Sequence, residues 1–122
     1  MQVVSRPRPG GGFELYSWLF MRISAILLLL LVLGHLIVMH LITTTENIDF
    51  NFVAQRFATP FWRSYDALML LLALLHGLNG VRTITEDYVQ SRPWRVFWTF
   101  ALVTVGLVFG TIGTIVIFTF QP

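Results

Sequence analysis

A histidine within a long apolar stretch is the residue of this sequence best suited to chemistry. His76 follows a run of nine uncharged, apolar residues and precedes a charged segment. An ionisable side chain at bilayer depth is unfavourable without a partner, so such a residue is a candidate functional group. Imidazole is a common ligand of haem iron, and the small residues Gly77 and Gly80 leave room beside it for a bulky group. The pattern therefore indicates a cofactor ligand within a membrane.

Four further polar residues could take part in that chemistry. Arg82 follows His76 by six residues, and Arg22 lies at the start of another apolar stretch. Guanidinium groups bind carboxylates, so both are candidates for contacts with haem propionates, or else for anchors at lipid headgroups. Asp87 and Tyr88 combine a carboxylate, which can deliver protons, with a phenol, which can donate to a quinone carbonyl. The same pair also fits a helix end with an interfacial tyrosine.

The composition is typical of a small integral membrane protein. Of the 122 residues, 56% are hydrophobic and only 11% are charged, which leaves little sequence for a soluble domain. Cysteine is absent, and this excludes disulfides, iron–sulfur clusters and thiolate metal sites within the chain. Any metal must be bound through histidine or oxygen. The net charge of +2 comes from arginine, and no nucleic-acid partner is expected.

Three apolar segments are long enough to cross a membrane. We expect helices at about residues 15–43, 60–87 and 93–120, in a single all-α membrane-anchor domain over residues 1–122 with a flexible tail at 1–12. Backbone groups in lipid must be paired within their own helix, so the short connections predict antiparallel neighbours in a helix bundle, one that further subunits complete.

Two details refine this topology. The first connection carries apolar residues that could form one face of a short interfacial helix, namely Phe50, Phe52, Val53 and Phe57. Gly106, Gly110 and Gly113 in the third span have the spacing of a close helix-packing face.

Arginine placement predicts the orientation of the spans. One side of the membrane carries Arg6, Arg8, Arg22, Arg82, Arg92 and Arg95, whereas on the other side Arg56 and Arg63 are offset by Glu46 and Asp49. The positive-inside rule then places the amino terminus in the cytoplasm and the carboxyl terminus outside the inner (cytoplasmic) membrane.

This orientation gives each ionisable residue an expected depth. His76 would lie near mid-membrane, about 16 Å along its helix from Asp87 at the cytoplasmic surface. In the first helix, His35 would lie about 20 Å from Arg22, and His40 about 27 Å from it. His35 could therefore bind a buried group or hydrogen-bond a neighbouring helix, while His40 lies close to the outer interface and could be hydrated.

The second apolar segment resembles part of a known membrane protein family. Its pattern H-x-x-x-G-x-x-x-x-x-x-D-Y, formed by His76, Gly80, Asp87 and Tyr88, is similar to the second helix of the smaller hydrophobic membrane anchor of succinate dehydrogenase (succinate:quinone oxidoreductase, respiratory complex II). The segment WLFMRISAILLLL resembles the start of that family's first helix, and the likeness covers nearly the whole chain.

The resemblance implies a haem b-binding subunit that anchors the catalytic subunits and passes electrons from the iron–sulfur subunit to ubiquinone or menaquinone. It implies that His76 is an axial ligand of the haem iron, with the other ligand from a second, companion anchor subunit, and that Arg22 contacts a propionate. Tyr88 would hydrogen-bond the quinone, with Asp87 beside it. Succinate would be oxidised on the flavoprotein subunit, and no succinate-binding residue is evident in this chain.

The number of haems stays open at this point. His35 and His40 resemble the extra histidines of family members that hold two haems stacked across the membrane, often with menaquinone. His35 is favoured as the ligand of a second haem iron because Gly34 precedes it and because it is more deeply embedded. Arg82 occupies a position that varies in the family.

Three alternative functions also stay open. The first is the anchor subunit of a fumarate reductase. The second is a haem-free, non-redox anchor in which His76 bonds to a neighbouring helix. The third is a small transporter or channel subunit that uses His76 and Arg82 as an ion relay, although such proteins usually show a broken helix or an internal repeat, and neither is evident here.

Overall fold

The computed structural model describes residues 12–120, and these residues form helices joined by short connections. Helix α1 spans Phe13–Leu36 and continues as a π-helical segment, Ile37–Ile42. After a single 3-10 turn, Thr45–Asn47, the short helix α2 spans Phe50–Ala58. Helix α3 spans Pro60–Tyr88, and helix α4 spans Arg92–Thr119.

Three of these helical segments are long and apolar enough to cross a membrane, and the chain is a multi-pass, all-α membrane protein. They are Phe13–Ile42, Pro60–Tyr88 and Arg92–Thr119. Each begins and ends within two residues of the bounds expected from the sequence. The tail expected at residues 1–12 lies outside the described residues, except for Gly12.

Local sequence explains where the helices begin. Pro60 lies in the first turn of α3, where its missing N–H would have had no helical partner. Helix α2 is capped by Asp49, whose carboxylate accepts a hydrogen bond from the backbone N–H of Phe52 at 2.8 Å. The π-helical end of the first span was not predicted, because a one-residue widening of a helix leaves little trace in the pattern of apolar residues.

Helices α3 and α4 pack through the glycines of α4. A methyl group built on Gly106 would lie 2.5 Å from Leu78, and one built on Gly113 would lie 2.5 Å from Leu70. Between them, Gly110 lies opposite Leu74. Leucine side chains of α3 therefore occupy the space that the glycines leave open, which confirms the predicted packing face.

Helices α1 and α3 are antiparallel neighbours and form a seam along which the candidate site residues lie. Ser24 meets His76 toward one end of this seam, and Gly34 meets Tyr65 toward the other. The Tyr65 hydroxyl donates a hydrogen bond to the carbonyl oxygen of Leu31 in α1. Gly34 makes this approach possible because a methyl group at its position would lie 2.5 Å from the Tyr65 hydroxyl oxygen.

Helix α2 is attached to the spans by charge and aromatic contacts. Arg56 is buried and donates two hydrogen bonds to the Asp66 carboxylate of α3, at 3.0 and 2.9 Å. The Phe57 ring lies 5.9 Å from that of Phe120. The short helix suggested by the sequence is therefore present. From the sequence, the charge of Arg56 is expected to be offset by acidic residues of the same connection, whereas in the structure the carboxylate opposite its guanidinium group is that of Asp66.

Little of the apolar surface is buried within this single chain. Among the described residues, the buried hydrophobic side chains are those of Ala54, Phe57 and Ile117. Most large apolar side chains of the three spans face outward, where lipid or other membrane helices must cover them.

Candidate functional site

His76 lies in the middle of α3, where its ring is held against α1. Its Nδ1 atom lies 2.8 Å from the hydroxyl oxygen of Ser24, a residue that is only 1% exposed. Among the described residues, Nε2 has no hydrogen-bond partner. Two side-chain nitrogens are both buried and without a partner, and Nε2 is not one of them, so it is not buried. Nε2 is therefore open to a group that approaches from outside the α1–α3 pair.

The two glycines near His76 have different surroundings. A methyl group built on Gly77 would meet no atom within 4 Å, so the surface beside His76 is open at this position. A methyl group built on Gly80 would lie 3.5 Å from the end of the Met21 side chain in α1. Of the two residues expected to leave room for a bulky group, only Gly77 does so, because Gly80 faces the neighbouring helix.

A polar network crosses the same seam one turn beyond His76. The Asn79 amide donates a hydrogen bond to the Ser17 hydroxyl at 2.8 Å, and its carbonyl oxygen accepts one from Nε of Arg82 at 3.1 Å. Neither Asn79 nor Ser17 was among the sequence candidates. The network ties α1 to α3 a second time and orients the Arg82 side chain.

The charge of Arg82 is neutralised within the subunit. Its Nη1 atom donates to the Glu86 carboxylate at 2.7 Å and lies 3.8 Å from the carboxylate of Glu14. Its guanidinium carbon also lies 5.4 Å from the centre of the Phe13 ring. A contact between Arg82 and a haem propionate stays a prediction, and such a contact would have to compete with these partners.

Arg22 is exposed on a different side of α1 from the seam. It precedes Ser24 by two residues, which turns it about 200° away around the helix axis. Its contact within the described residues is with Trp18, whose ring centre lies 5.1 Å from the guanidinium carbon. The structure does not bring Arg22 to His76, but it leaves the guanidinium hydrogens available to a group bound outside this chain.

Asp87 and Tyr88 lie at the end of α3 and are both exposed, Tyr88 by 83%. Asp87 is eleven residues from His76, so it lies about 16 Å further along the axis and on nearly the same side of α3. Tyr88 is turned about 100° further around the helix. No ion pair found within residues 12–120 involves Asp87. Both side chains are open to contacts with other subunits or a ligand.

His35 lies toward the other end of the seam, beside the ion pair of α2 and α3. Its Nδ1 atom is buried, lacks a hydrogen-bond partner and lies 3.6 Å from the Asp66 carboxylate. Arg56, which pairs with the same carboxylate, also lies 4.2 Å from the centre of the Trp62 ring. His40 is exposed in the π-helical segment.

The donor set suits haem iron better than a bare metal ion. Within residues 12–120, the structure gathers no group of three or more histidine, aspartate and glutamate side chains. A metal ion held by protein alone needs several such donors, whereas haem iron takes only one or two ligands from protein. The isolated His76, with one ring nitrogen bonded and the other open, fits the second case.

Ser24 was not predicted from the sequence, although the sequence contains a signal for it. Ser17, Ser24 and His35 are separated by seven and eleven residues, which are nearly whole numbers of helical turns. They therefore lie along one side of α1, the side that faces α3. Polar residues that recur at this spacing within an apolar span mark the face that meets polar residues of a neighbouring helix.

The sequence matches a known family over most of its length. Residues 8–114 match the family described as succinate dehydrogenase/fumarate reductase transmembrane subunit. A relative from Archaeoglobus fulgidus, named succinate dehydrogenase hydrophobic membrane anchor subunit, is 36% identical over 74 residues, which are 61% of this chain and 62% of the relative. A relative of the same name from Rickettsia prowazekii is 25% identical over 80 residues, which are 66% of this chain and 62% of the relative.

The two matches to individual relatives each span less than two thirds of the relative's length, whereas the family match covers nearly all of the three spans. The succinate dehydrogenase resemblance seen in the second and first helices is thereby confirmed. The chain belongs to the family of transmembrane subunits of succinate dehydrogenase and fumarate reductase.

Proposed function

We propose that this chain is the haem b-binding membrane anchor of a succinate:quinone oxidoreductase, with His76 as one axial ligand of the haem iron. The observation that carries the proposal is the 2.8 Å contact between His76 Nδ1 and the buried Ser24 hydroxyl. Histidines that bind a metal through one ring nitrogen almost always bond the other to a fixed partner. Ser24 is such a partner, and it leaves Nε2 for the iron.

The exposed surface around His76 supports a shared haem site. Gly77 leaves open space beside the histidine, and most apolar side chains of the three spans are uncovered within this chain. The companion anchor subunit would cover part of this surface and supply the other axial ligand. The soluble iron–sulfur and flavoprotein subunits would dock at the cytoplasmic side, in the orientation that the arginines predict.

When bound, the haem would supply a one-electron carrier in the membrane interior. This chain would hold it through His76, orient that ring through Ser24 and exclude water with the apolar side chains of α1 and α3. Arg22 is the better candidate for a propionate contact, because within residues 12–120 its guanidinium group stacks on Trp18 and pairs with no carboxylate, whereas Arg82 is already paired with two carboxylates.

The exposed end of α3 is the proposed quinone site. Electrons from the iron–sulfur subunit would reduce the quinone, Q + 2e⁻ + 2H⁺ → QH₂, and each proton needs a route from water. Tyr88 would donate a hydrogen bond to a quinone oxygen, and Asp87 would move protons from the cytoplasmic surface.

For the quinone site, Tyr88→Phe removes one hydrogen-bond donor and is expected to lower quinone reductase activity about tenfold, the worth of one good hydrogen bond. Haem content should not change. Tyr16→Phe, at another exposed tyrosine, is the matched control. Equal activity in Tyr88→Phe and the wild type would remove Tyr88 from the site.

A second haem at His35 is supported by the Asp66 carboxylate, 3.6 Å from its Nδ1 atom. A carboxylate at this nitrogen is a common partner of metal-bound histidines. His35 lies eleven residues from Ser24 on the same side of α1, so the two histidine sites are about 16 Å apart along the helix axis. Two haems, if bound, would be held by His76 and His35 at these separate positions along the seam.

The direction of turnover is proposed from the relatives. Both carry the name of succinate dehydrogenase, which favours succinate oxidation over the fumarate reductase alternative. The proposed location is the inner (cytoplasmic) membrane, where the quinone pool resides.

The test is His76→Ala in the purified complex, followed by a reduced-minus-oxidised spectrum and the haem-to-flavin ratio. The variant should lose the b-type absorbance of the haem that His76 binds, because its iron would lack an axial ligand. His40→Ala, at an exposed histidine, is the control and should keep the wild-type spectrum. An unaltered spectrum in a fully assembled His76→Ala complex would contradict the proposal and favour a haem-free anchor.

A further inference from the structure

We infer that Ser24 is a positioning residue that sets the tautomer of His76, so that Nδ1 carries the ring hydrogen and Nε2 carries the free lone pair. The role in haem binding rests on the proposed function, because Nε2 is the nitrogen assigned to the iron. The tautomer itself is inferred from the contacts of Ser24 with His76 and Met21, without reference to a bound haem.

The argument starts from the single hydrogen of the Ser24 hydroxyl. The hydroxyl oxygen lies 2.8 Å from His76 Nδ1 and 3.4 Å from the carbonyl oxygen of Met21. A carbonyl oxygen can only accept, so the contact with Met21 uses the hydroxyl hydrogen. With the hydroxyl hydrogen directed at Met21, Nδ1 is the donor in the shorter contact with Ser24, and the 3.4 Å contact with Met21 is the weaker of the two hydrogen bonds.

The opposite tautomer makes fewer hydrogen bonds. If Nδ1 lacked a hydrogen, the Ser24 hydroxyl would have to turn away from Met21 and donate to the ring. Nε2 would then carry a hydrogen, and this N–H has no acceptor among the described residues. An unpaired donor in a water-poor environment is unfavourable, so the tautomer with Nδ1–H is the more stable.

The burial of Ser24 keeps this arrangement in place. Ser24 is 1% exposed and lies in an apolar stretch of α1, so water does not compete for its hydroxyl. A helical serine that bonds to a carbonyl oxygen of the preceding turn is a common local geometry, and it favours a hydroxyl hydrogen directed at that oxygen. The ring of His76 therefore meets an acceptor whose orientation is set before any cofactor binds.

Nitrogen-15 NMR of the haem-free chain of residues 1–122 in lipid bilayers tests the tautomer directly. We expect the wild-type His76 signals, assigned by their loss in His76→Ala, to show a protonated Nδ1 and an unprotonated Nε2. Ser24→Ala should shift the ring toward the Nε2–H form that free histidine prefers. A protonated Nε2 in neutral wild-type His76 would overturn the inference, whether or not the complex binds haem.

Haem affinity in the assembled complex tests the positioning role. Loss of such a partner typically weakens metal binding about 10–100-fold, so Ser24→Ala should release haem correspondingly more readily and shift its low-spin EPR signal. Ser24→Thr keeps the hydroxyl and should restore both properties. The matched control is Thr104→Ala, which removes an exposed hydroxyl that donates to the Phe100 carbonyl oxygen at 2.9 Å, far from His76 in sequence.

These outcomes separate the two proposals. If His76→Ala loses haem while Ser24→Ala keeps wild-type affinity and EPR signal, the positioning role fails and the haem ligand stands. If the wild-type complex holds no haem, the proposed function fails, and the NMR measurement still decides the tautomer. If Ser24→Ala does not assemble, the wild-type tautomer and the Ser24→Thr complex decide the inference.

Discussion

His76 and His35 both lie on the seam between α1 and α3, but their surroundings differ. His76 faces the neutral hydroxyl of Ser24, which can fix a tautomer without adding charge. His35 faces the Asp66 carboxylate, which already accepts two hydrogen bonds from the buried Arg56. The two histidines therefore have different chemical surroundings. The difference comes from the residue that each histidine meets across the seam.

The difference also separates an open surface around His76 from a packed ion-pair cluster around His35. Around His76, Nε2 is open and Gly77 leaves space beside it. Around His35, the side chains of Arg56 and Asp66 are 4% and 11% exposed, and their ion pair attaches α2 to α3. Removing the ion pair between Arg56 and Asp66 should unfold local structure, whereas replacing His76 should leave the fold intact.

The largest effect on stability is expected from Asp66→Ala. This change leaves the buried Arg56 without its partner, and an unpaired buried charge costs about 3–5 kcal/mol. Thermal unfolding of the purified chain in detergent should show a clearly lowered midpoint. Glu86→Ala is the control, because it removes the more exposed ion pair with Arg82, and pairs of this kind contribute only about 0.3–0.5 kcal/mol. Similar unfolding midpoints for the two variants would show that the ion pairs at the two ends of the seam contribute equally to stability.

The next effect concerns the haem count. His35→Ala should remove one of two haems from the complex and leave the haem bound by His76, since the two sites are about 16 Å apart along the helix axis. The measurement is the haem-to-flavin ratio, with His40→Ala as the control. A complex with a single haem that survives His35→Ala would restrict His35 to the cluster with Asp66 and Arg56.

The smallest effect is expected from alanine substitutions at two glycines, one at each end of the seam. Gly80→Ala meets only ordinary contact with Met21, so it should stabilise α3 by up to about 1 kcal/mol through helix propensity. Gly34→Ala should lose that gain, because the new methyl group would displace the Tyr65 hydroxyl from the Leu31 carbonyl oxygen, at a cost of about 1 kcal/mol. Unfolding midpoints in detergent should rank Gly80→Ala above Gly34→Ala. The reverse order would mean that Tyr65 is not held tightly by α1.

Some candidate residues stand out in the sequence because their signals are local. His76, Asp87 and Tyr88 are noticeable as polar groups within or at the end of an apolar span, whatever the neighbouring helices do. Asn79 and Ser24 were missed because a single amide or hydroxyl is common in membrane helices. Their importance depends on the residue that they meet on another helix. The haem and quinone roles stay predictions, and the experiments above test them.

The sequence by itself determined the three spans, their bounds and the family, because apolar length and proline positions act within a single segment of chain. Tertiary structure alone decided that Ser24 meets His76, that Asp66 pairs with Arg56 and that Arg82 is neutralised by Glu86 and Glu14. The physical reason is distance along the chain. Apart from Arg82 and Glu86, which are one turn apart, these partners lie on different helices, and only the packing of those helices brings them within hydrogen-bonding or ion-pair range.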